Sequence, residues 1–176
     1  IDLWTVPAKG GDLKRITSTI GRKSNPSVSP DGQWVAYTGK EKRSDWWQNE
    51  NLFVMSLNGD CQPRNLTGEF DIEASNAGMS DLGGADTSPP RWSSDGKTIY
   101  FQVSRHGDVT LNSLSLNGGE METVIDGPGV VGSWSLDAVG ERVAYFHGDF
   151  TDTGQVWARD IDDGGPRKLT RINQNI

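Results

Sequence analysis

The chain has 176 residues and a formal net charge of −7, with its 17 Lys and Arg scattered among 24 Asp and Glu. No basic patch is present to replace the counterions of a polyanion, which excludes nucleic acid as a partner. The longest apolar runs, such as Leu52-Phe53-Val54-Met55, are too short to span a membrane, and 22 Gly with 7 Trp point to tight turns between aromatic-rich strands.

The sequence opens at Ile1 with neither Met nor a charged-then-apolar leader, so it reads as cut at its N-terminus. Asp2-Leu3-Trp4-Thr5-Val6, Lys9-Gly10-Gly11-Asp12 and Lys14-Arg15-Ile16-Thr17 predict a strand, a Gly-Gly turn and a second strand. A different unit follows, Pro26-Ser27-Val28-Ser29-Pro30-Asp31-Gly32-Gln33-Trp34-Val35-Ala36-Tyr37. An apolar residue and a Ser end one strand, Asp31 offers its carboxylate to the turn's amides, and Gly32 supplies the positive φ of a tight hairpin. Trp46-Trp47 then sit in a polar stretch beside Arg43 and Asp45, where they either line a surface pocket or, more simply, cap a sheet edge.

The first unit returns as Asn51-Leu52-Phe53-Val54-Met55-Ser56-Leu57-Asn58-Gly59 with Pro63-Arg64-Asn65-Leu66-Thr67. Asn65-Leu66-Thr67 matches a glycosylation sequon but lies on a predicted strand, and it is discounted. Cys61 is the only cysteine, so no intrachain disulfide or thiolate metal cluster can form, which fits a reducing cytoplasm. Residues 68–88, rich in Gly, Asp, Ser and Ala, have no strand period and read as a long loop. The second unit recurs as Pro90-Arg91-Trp92-Ser93-Ser94-Asp95-Gly96-Lys97-Thr98-Ile99-Tyr100-Phe101. The first recurs as Thr110-Leu111-Asn112-Ser113-Leu114-Ser115-Leu116-Asn117-Gly118-Gly119 with Glu122-Thr123-Val124-Ile125. A looser copy, Gly132-Ser133-Trp134-Ser135-Leu136-Asp137, reads as separating its Asp from Gly140 by two extra residues. The chain ends with Gln155-Val156-Trp157-Ala158-Arg159-Asp160-Ile161, Gly164-Gly165 and Arg167-Lys168-Leu169-Thr170.

Two hairpins make a four-stranded antiparallel sheet, the blade of a β-propeller, and a blade takes roughly 40–50 residues. Asp95 to Asp137 is 42 residues; Asp31 to Asp95 is 64, the excess falling in the loop. The fold class is therefore all-β, a β-propeller fragment of about three and a half four-stranded antiparallel blades. Its divisions are a half blade at 1–20, a blade at 25–67, a loop insertion at 68–88, and blades at 89–126 and 130–171. Closed propellers have 4–8 blades, so two apolar faces are left uncovered, and self-association through these open blade faces is expected.

The Ser-Pro-Asp-Gly turn and the Gly-Gly hairpin followed by Lys/Arg-x-Leu-Thr resemble the Tol-type propeller repeat. The tail from Gly154 through Gly164-Gly165-Pro166-Arg167-Lys168-Leu169-Thr170-Arg171-Ile172-Asn173 resembles the last blade of acylaminoacyl-peptidase-like members of the prolyl oligopeptidase family. That resemblance implies a serine peptidase, acylaminoacyl- or dipeptidyl-peptidase-like, whose propeller gates and positions short peptides. It also implies a hydrolase domain of the parent chain as partner, with the catalytic Ser, Asp and His in that domain. No catalytic residue is assigned to this chain. The other reading, from a different class, is a non-enzymatic Tol-like propeller acting as a protein-interaction platform.

The residues themselves offer little chemistry. A nucleophile elbow needs Gly-x-Ser-x-Gly, and Gly78-Met79-Ser80-Asp81-Leu82 lacks the last Gly. His106 and His147, the only histidines, each follow a strand end and read as turn or surface residues. Asp149, Asp152, Asp160, Asp162 and Asp163 do not match a calcium loop and read as solvated turn carboxylates, so no metal and no cofactor is implied. Asp31, Asp95 and Asp137 read as turn-formers. Trp4, Trp92, Trp134 and Trp157 read as blade packing at equivalent positions. The substrate-binding residues are unknown from sequence. Loop 68–88 is the one candidate to touch substrate, with Glu69, Asp71, Glu73 and Asp81 attracting an amino terminus, or else a mobile insertion without a ligand.

Overall fold

The computed structural model describes residues 1–17, 20–40, 47–58, 62–78, 87–162 and 164–172. These residues form strands and turns and no helix. A two-stranded hairpin, β1 (Trp4–Thr5) with β2 (Lys14–Arg15), comes first. A four-stranded antiparallel leaf follows, β3 (Lys23–Val28), β4 (Trp34–Gly39), β5 (Asn51–Ser56) and β6 (Arg64–Asn65). The next leaf is β7 (Arg91–Trp92), β8 (Thr98–Arg105), β9 (Asp108–Ser115) and β10 (Glu122–Ile125). The last is β11 (Val130–Leu136), β12 (Arg142–Gly148), β13 (Gln155–Asp160) and β14 (Arg167–Lys168). A single parallel pair, Val130 with Val109, joins these last two leaves into one eight-stranded ladder.

The tight turns follow from their residues. The Ser29 amide bonds to the Trp34 carbonyl, and the Ser93 amide to that of Thr98, at 2.9 Å each. Asp31 and Asp95 accept the amides of Gln33 and Lys97 at 3.0 Å, while Gly32 and Gly96 take φ of 71° and 70°. Hydrogen bonds from the Ser29 and Ser93 hydroxyls, and then from these amides, hold the two carboxyls below the usual carboxylate range.

The third turn corrects the sequence alignment. The Asp137 amide bonds to the Arg142 carbonyl at 2.9 Å, so this closure is also five residues long, with Gly140 (φ 78°) in the place of Gly32 and Gly96. There is no insertion. Asp137 stands where the other turns have Ser29 and Ser93, and its carboxylate takes the Glu141 and Arg142 amides. The equivalent positions are therefore Val28, Trp92 and Leu136, which pair with Val35, Ile99 and Val143. Trp134 lies two residues away from the position of Trp92, contrary to the sequence reading.

The Thr that closes the Lys/Arg-x-Leu-Thr signature is a latch. Thr17, Thr67 and Thr170 each accept, at 2.9 Å, an amide of the facing strand, from Leu3, Leu52 and Val156. Each also donates to the side chain before it, Asp2, Asn51 or Gln155. The fourth strand is so short that this hydroxyl carries much of its attachment.

The leaves stack face to face. Leu3 packs with Val35, Tyr37, Phe53 and Met55; Ala36, Leu52 and Val54 pack with Ile99, Phe101, Val103 and Leu114; Tyr100 and Leu111 pack with Val131, Trp134, Val143 and Tyr145. Strand alternation sends successive residues to opposite neighbours. The latch aligns Trp4 with Phe53 and Val156 with Leu52, so the two outer faces can be compared with the inner ones. Trp4 is 54% exposed against 4% for Phe53, and Val156 is 36% exposed against 0% for Leu52. Trp4 is thus not packed as the sequence reading expects, because no leaf formed by the described residues lies on its side. Both ends of the stack present uncovered apolar faces.

Part of the expected loop is also core. Ile72 and Ala74 are buried between leaves, and Glu73 bridges antiparallel to Ser104 of β8. Two aromatic contacts allow a test of the interleaf packing. The Trp92 Nε1 donates to the Ser27 carbonyl of the preceding leaf at 3.0 Å, whereas the buried Trp134 Nε1 has no partner among the described residues. Both Trp→Phe changes remove similar volume, so Trp92→Phe should destabilise by about 1 kcal/mol more than Trp134→Phe in urea melts.

Candidate functional site

The first strand of each leaf lies at one edge of that leaf, and the three edges β3, β7 and β11 converge on one cavity of about 320 Å³. It is lined by Ser27, Val28, Pro30, Arg91, Trp92, Ser135 and Leu136. The tight turns stand shoulder to shoulder at its rim, since a Cβ on Gly96 would lie 3.7 Å from Pro30, and one on Gly140 would lie 3.6 Å from the Ser94 amide. Turn alignment makes Ser27, Arg91 and Ser135 equivalent, with Val28, Trp92 and Leu136 beside them. At these two positions each leaf therefore contributes one polar and one apolar residue to the cavity lining. None of these polar residues is singled out by the sequence reading. The signal is present in the repeat, but it emerges only once the third turn is aligned on Gly140 rather than on Asp137.

A second cavity, also about 320 Å³, lies where the 73–78 segment meets the β8–β9 turn, and is lined by Glu73, Ser104, Arg105, His106 and Asp108 among others. The Ser104 hydroxyl donates to the Ser75 carbonyl at 2.8 Å and accepts the Ala77 amide at 2.9 Å. The Glu73 carboxylate accepts the Glu50 amide at 2.7 Å and the Ser75 hydroxyl at 2.8 Å, and burial pushes its pKa up. Glu73 thus anchors the segment with both oxygens. Glu69 and Asp71 are exposed, Asp71 accepting from Asn49.

His106 occupies the β8–β9 turn with φ of 55°, and His147 lies in β12 with its ring edge-on to Trp157 at 6.3 Å. The acidic stretch is engaged in turns and pairs. Asp149 accepts the Thr151 hydroxyl and the Thr151 and Asp152 amides, which lower its pKa. Asp152 pairs with Lys168 at 2.9 Å and Asp160 with Arg142 at 2.7 Å. Among the described residues no group of three or more His, Cys, Asp or Glu is placed to hold a metal. No helix among them is long and apolar enough to cross a membrane. Arg43, Asp45, Trp46, Cys61, Met79, Ser80, Asp81, Leu82, Asp163 and Asn173 lie outside the described residues.

No family model matches the chain. An uncharacterised protein of Agrobacterium fabrum is 25% identical over 156 residues, which are 82% of this chain and 46% of that protein. Among solved structures, TolB of Acinetobacter baumannii superposes with a TM-score of 0.70 at 21% identity, over 96% of this chain and 37% of that one. The β-propeller domain of the trilobed protease of Pyrococcus furiosus gives 0.62 at 18% identity, over 93% of this chain and 44% of that one. This chain has the fold of a β-propeller segment. The propeller likeness extends to the acylaminoacyl peptidase of Pyrococcus horikoshii, with a TM-score of 0.68 at 17% identity over 98% of this chain and 23% of that one. The chain spans less than half the length of each of these proteins. In propeller terms the Ser27–Arg91–Ser135 cavity opens on the hub, where innermost strands meet, and β6, β10 and β14 form the outer edge.

Proposed function

We propose that the chain is a non-catalytic propeller segment that gates and positions short peptides for a serine peptidase, acylaminoacyl- or dipeptidyl-peptidase-like. The observation carrying this reading is the tail: β13, the Gly164-Gly165 turn and the Thr170 latch are built as a propeller leaf, and the sequence from Leu169-Thr170 to Asn173 resembles the segment that follows the last blade in that family. Similarity to the acylaminoacyl peptidase over nearly the whole chain supports it. The blade divisions are those read from the repeats, at 25–67, 89–126 and 130–171. The partners in this reading are short peptides and the hydrolase domain of the same chain, in a cytoplasmic setting. The uncovered faces at Trp4 and Val156 are where further blades, or a second copy, stack.

One observation favours a second reading, a Tol-like interaction platform. The matched stretch is 46% of the Agrobacterium relative but 23% of the acylaminoacyl peptidase, so that relative is about half as long, too short for a propeller with a hydrolase domain. Fluorophosphonate labelling of the intact gene product separates the two. Covalent modification of one serine in a Gly-x-Ser-x-Gly elbow outside these 176 residues is expected. An unlabelled, fully folded product would overturn the peptidase reading and leave the platform.

A further inference from the structure

Hub cavities of a propeller are lined by repeated positions, so a residue that breaks the repeat marks what the cavity is for. At the first such position the three leaves carry Ser27, Arg91 and Ser135. Arg91 is exposed at the cavity, and among the described residues it has no carboxylate or carbonyl partner. Arg15 pairs with Asp2, Arg142 with Asp160, Arg64 with the Leu116 carbonyl and Arg159 with the Val124 carbonyl. Arg91, like the outlying Arg105 and Arg167, is left open among the described residues, and of these three it is Arg91 that lies in the hub lining. A guanidinium presents a planar fork of donors matched to a carboxylate, and serine hydroxyls in the same lining are further donors. At the neighbouring position Val28, Trp92 and Leu136 make an apolar wall, and Val28 is largely exposed.

We propose that Ser27, Arg91 and Ser135 form a carboxylate-binding subsite that takes the apolar C-terminal residue of a peptide, its side chain against Val28, Trp92 and Leu136. Charge complementarity selects this occupant. On a chain of net charge −7, an unpaired cation beside an apolar wall favours an anion that also carries hydrocarbon. A volume of about 320 Å³ is at the small end of ligand sites and holds one or two residues rather than a folded partner. The inference rests on the short-peptide binding proposed above, and not on the presence of a hydrolase domain.

The intact protein, labelled with 5-fluorotryptophan and observed by fluorine NMR, tests it. The Trp92 signal is assigned through Trp92→Phe, and N-acetyl-leucine is titrated against N-acetyl-leucinamide. The acid is expected to shift the Trp92 signal saturably, and the amide to bind about tenfold more weakly. Arg91→Gln should weaken binding of the acid by about the same factor and leave the amide unchanged, while Arg91→Lys falls between. Equal affinity for acid and amide on the unsubstituted protein overturns the proposal, as does binding of the acid that Arg91→Gln leaves intact. Serine labelling is indifferent to these outcomes, so failure here is separable from failure of the peptidase reading.

Discussion

Phe101→Ala is expected to remove about 3–5 kcal/mol of folding stability, enough to unfold a domain of ordinary stability at or near room temperature. Phe101 is almost fully buried between two leaves, in a cluster with Ala36, Leu52, Val54, Ile72 and Leu114. Deleting its ring removes the transfer free energy of the side chain and leaves a cavity that two rigid sheets cannot close. Phe146 provides the internal control, because it lies on the outer face of the last leaf and is substantially exposed. Phe146→Ala should cost about 1 kcal/mol or less. Urea unfolding of the two variants checks this. Equal losses would mean that the interleaf cluster is not what holds the stack together.

The contrast between these positions shows what is legible in the sequence. Hairpins are readable because Gly32, Gly96 and the Asn-Gly and Gly-Gly pairs have local conformational consequences. The third turn misaligns because Asp137 takes over both the Ser and the Asp roles, and composition cannot show which partner a carboxylate chooses. Trp4 matches Phe53 in pattern; its exposure depends on what lies beyond its leaf, which no local signal carries. Ile72 and Ala74 read as loop because two buried residues around a single bridge have no period to detect. The hub site is hidden for a related reason. Ser27, Arg91 and Ser135 are far apart in the chain, and only the stacking of leaves makes them neighbours.

The buried glutamine of β8 extends this point to stability, and Gln102→Leu is expected to cost about 3–5 kcal/mol despite similar size and greater hydrophobicity. The pairing of β11 with β12 shifts register between Val131 and Trp134, which frees backbone groups in the interior. Gln102 Nε2 donates to the Val131 and Gly132 carbonyls at 2.7 and 3.0 Å, and its Oε1 accepts the Ser88 amide at 3.1 Å. Only this amide orientation satisfies all three groups, because two of them are acceptors and one is a donor. Leucine would leave them without partners where water does not reach. Gln102→Glu separates hydrogen bonding from packing. A carboxylate facing two carbonyl oxygens is disfavoured, so the folded protein should hold this group's pKa above the unfolded value of about 4.3. The variant's stability relative to the unsubstituted protein should therefore be greatest below that value and fall as pH rises through the folded-state pKa. Thermal melts from acid to neutral pH read this directly; a difference between the two proteins that stays constant with pH would show that Gln102 does not face those carbonyls.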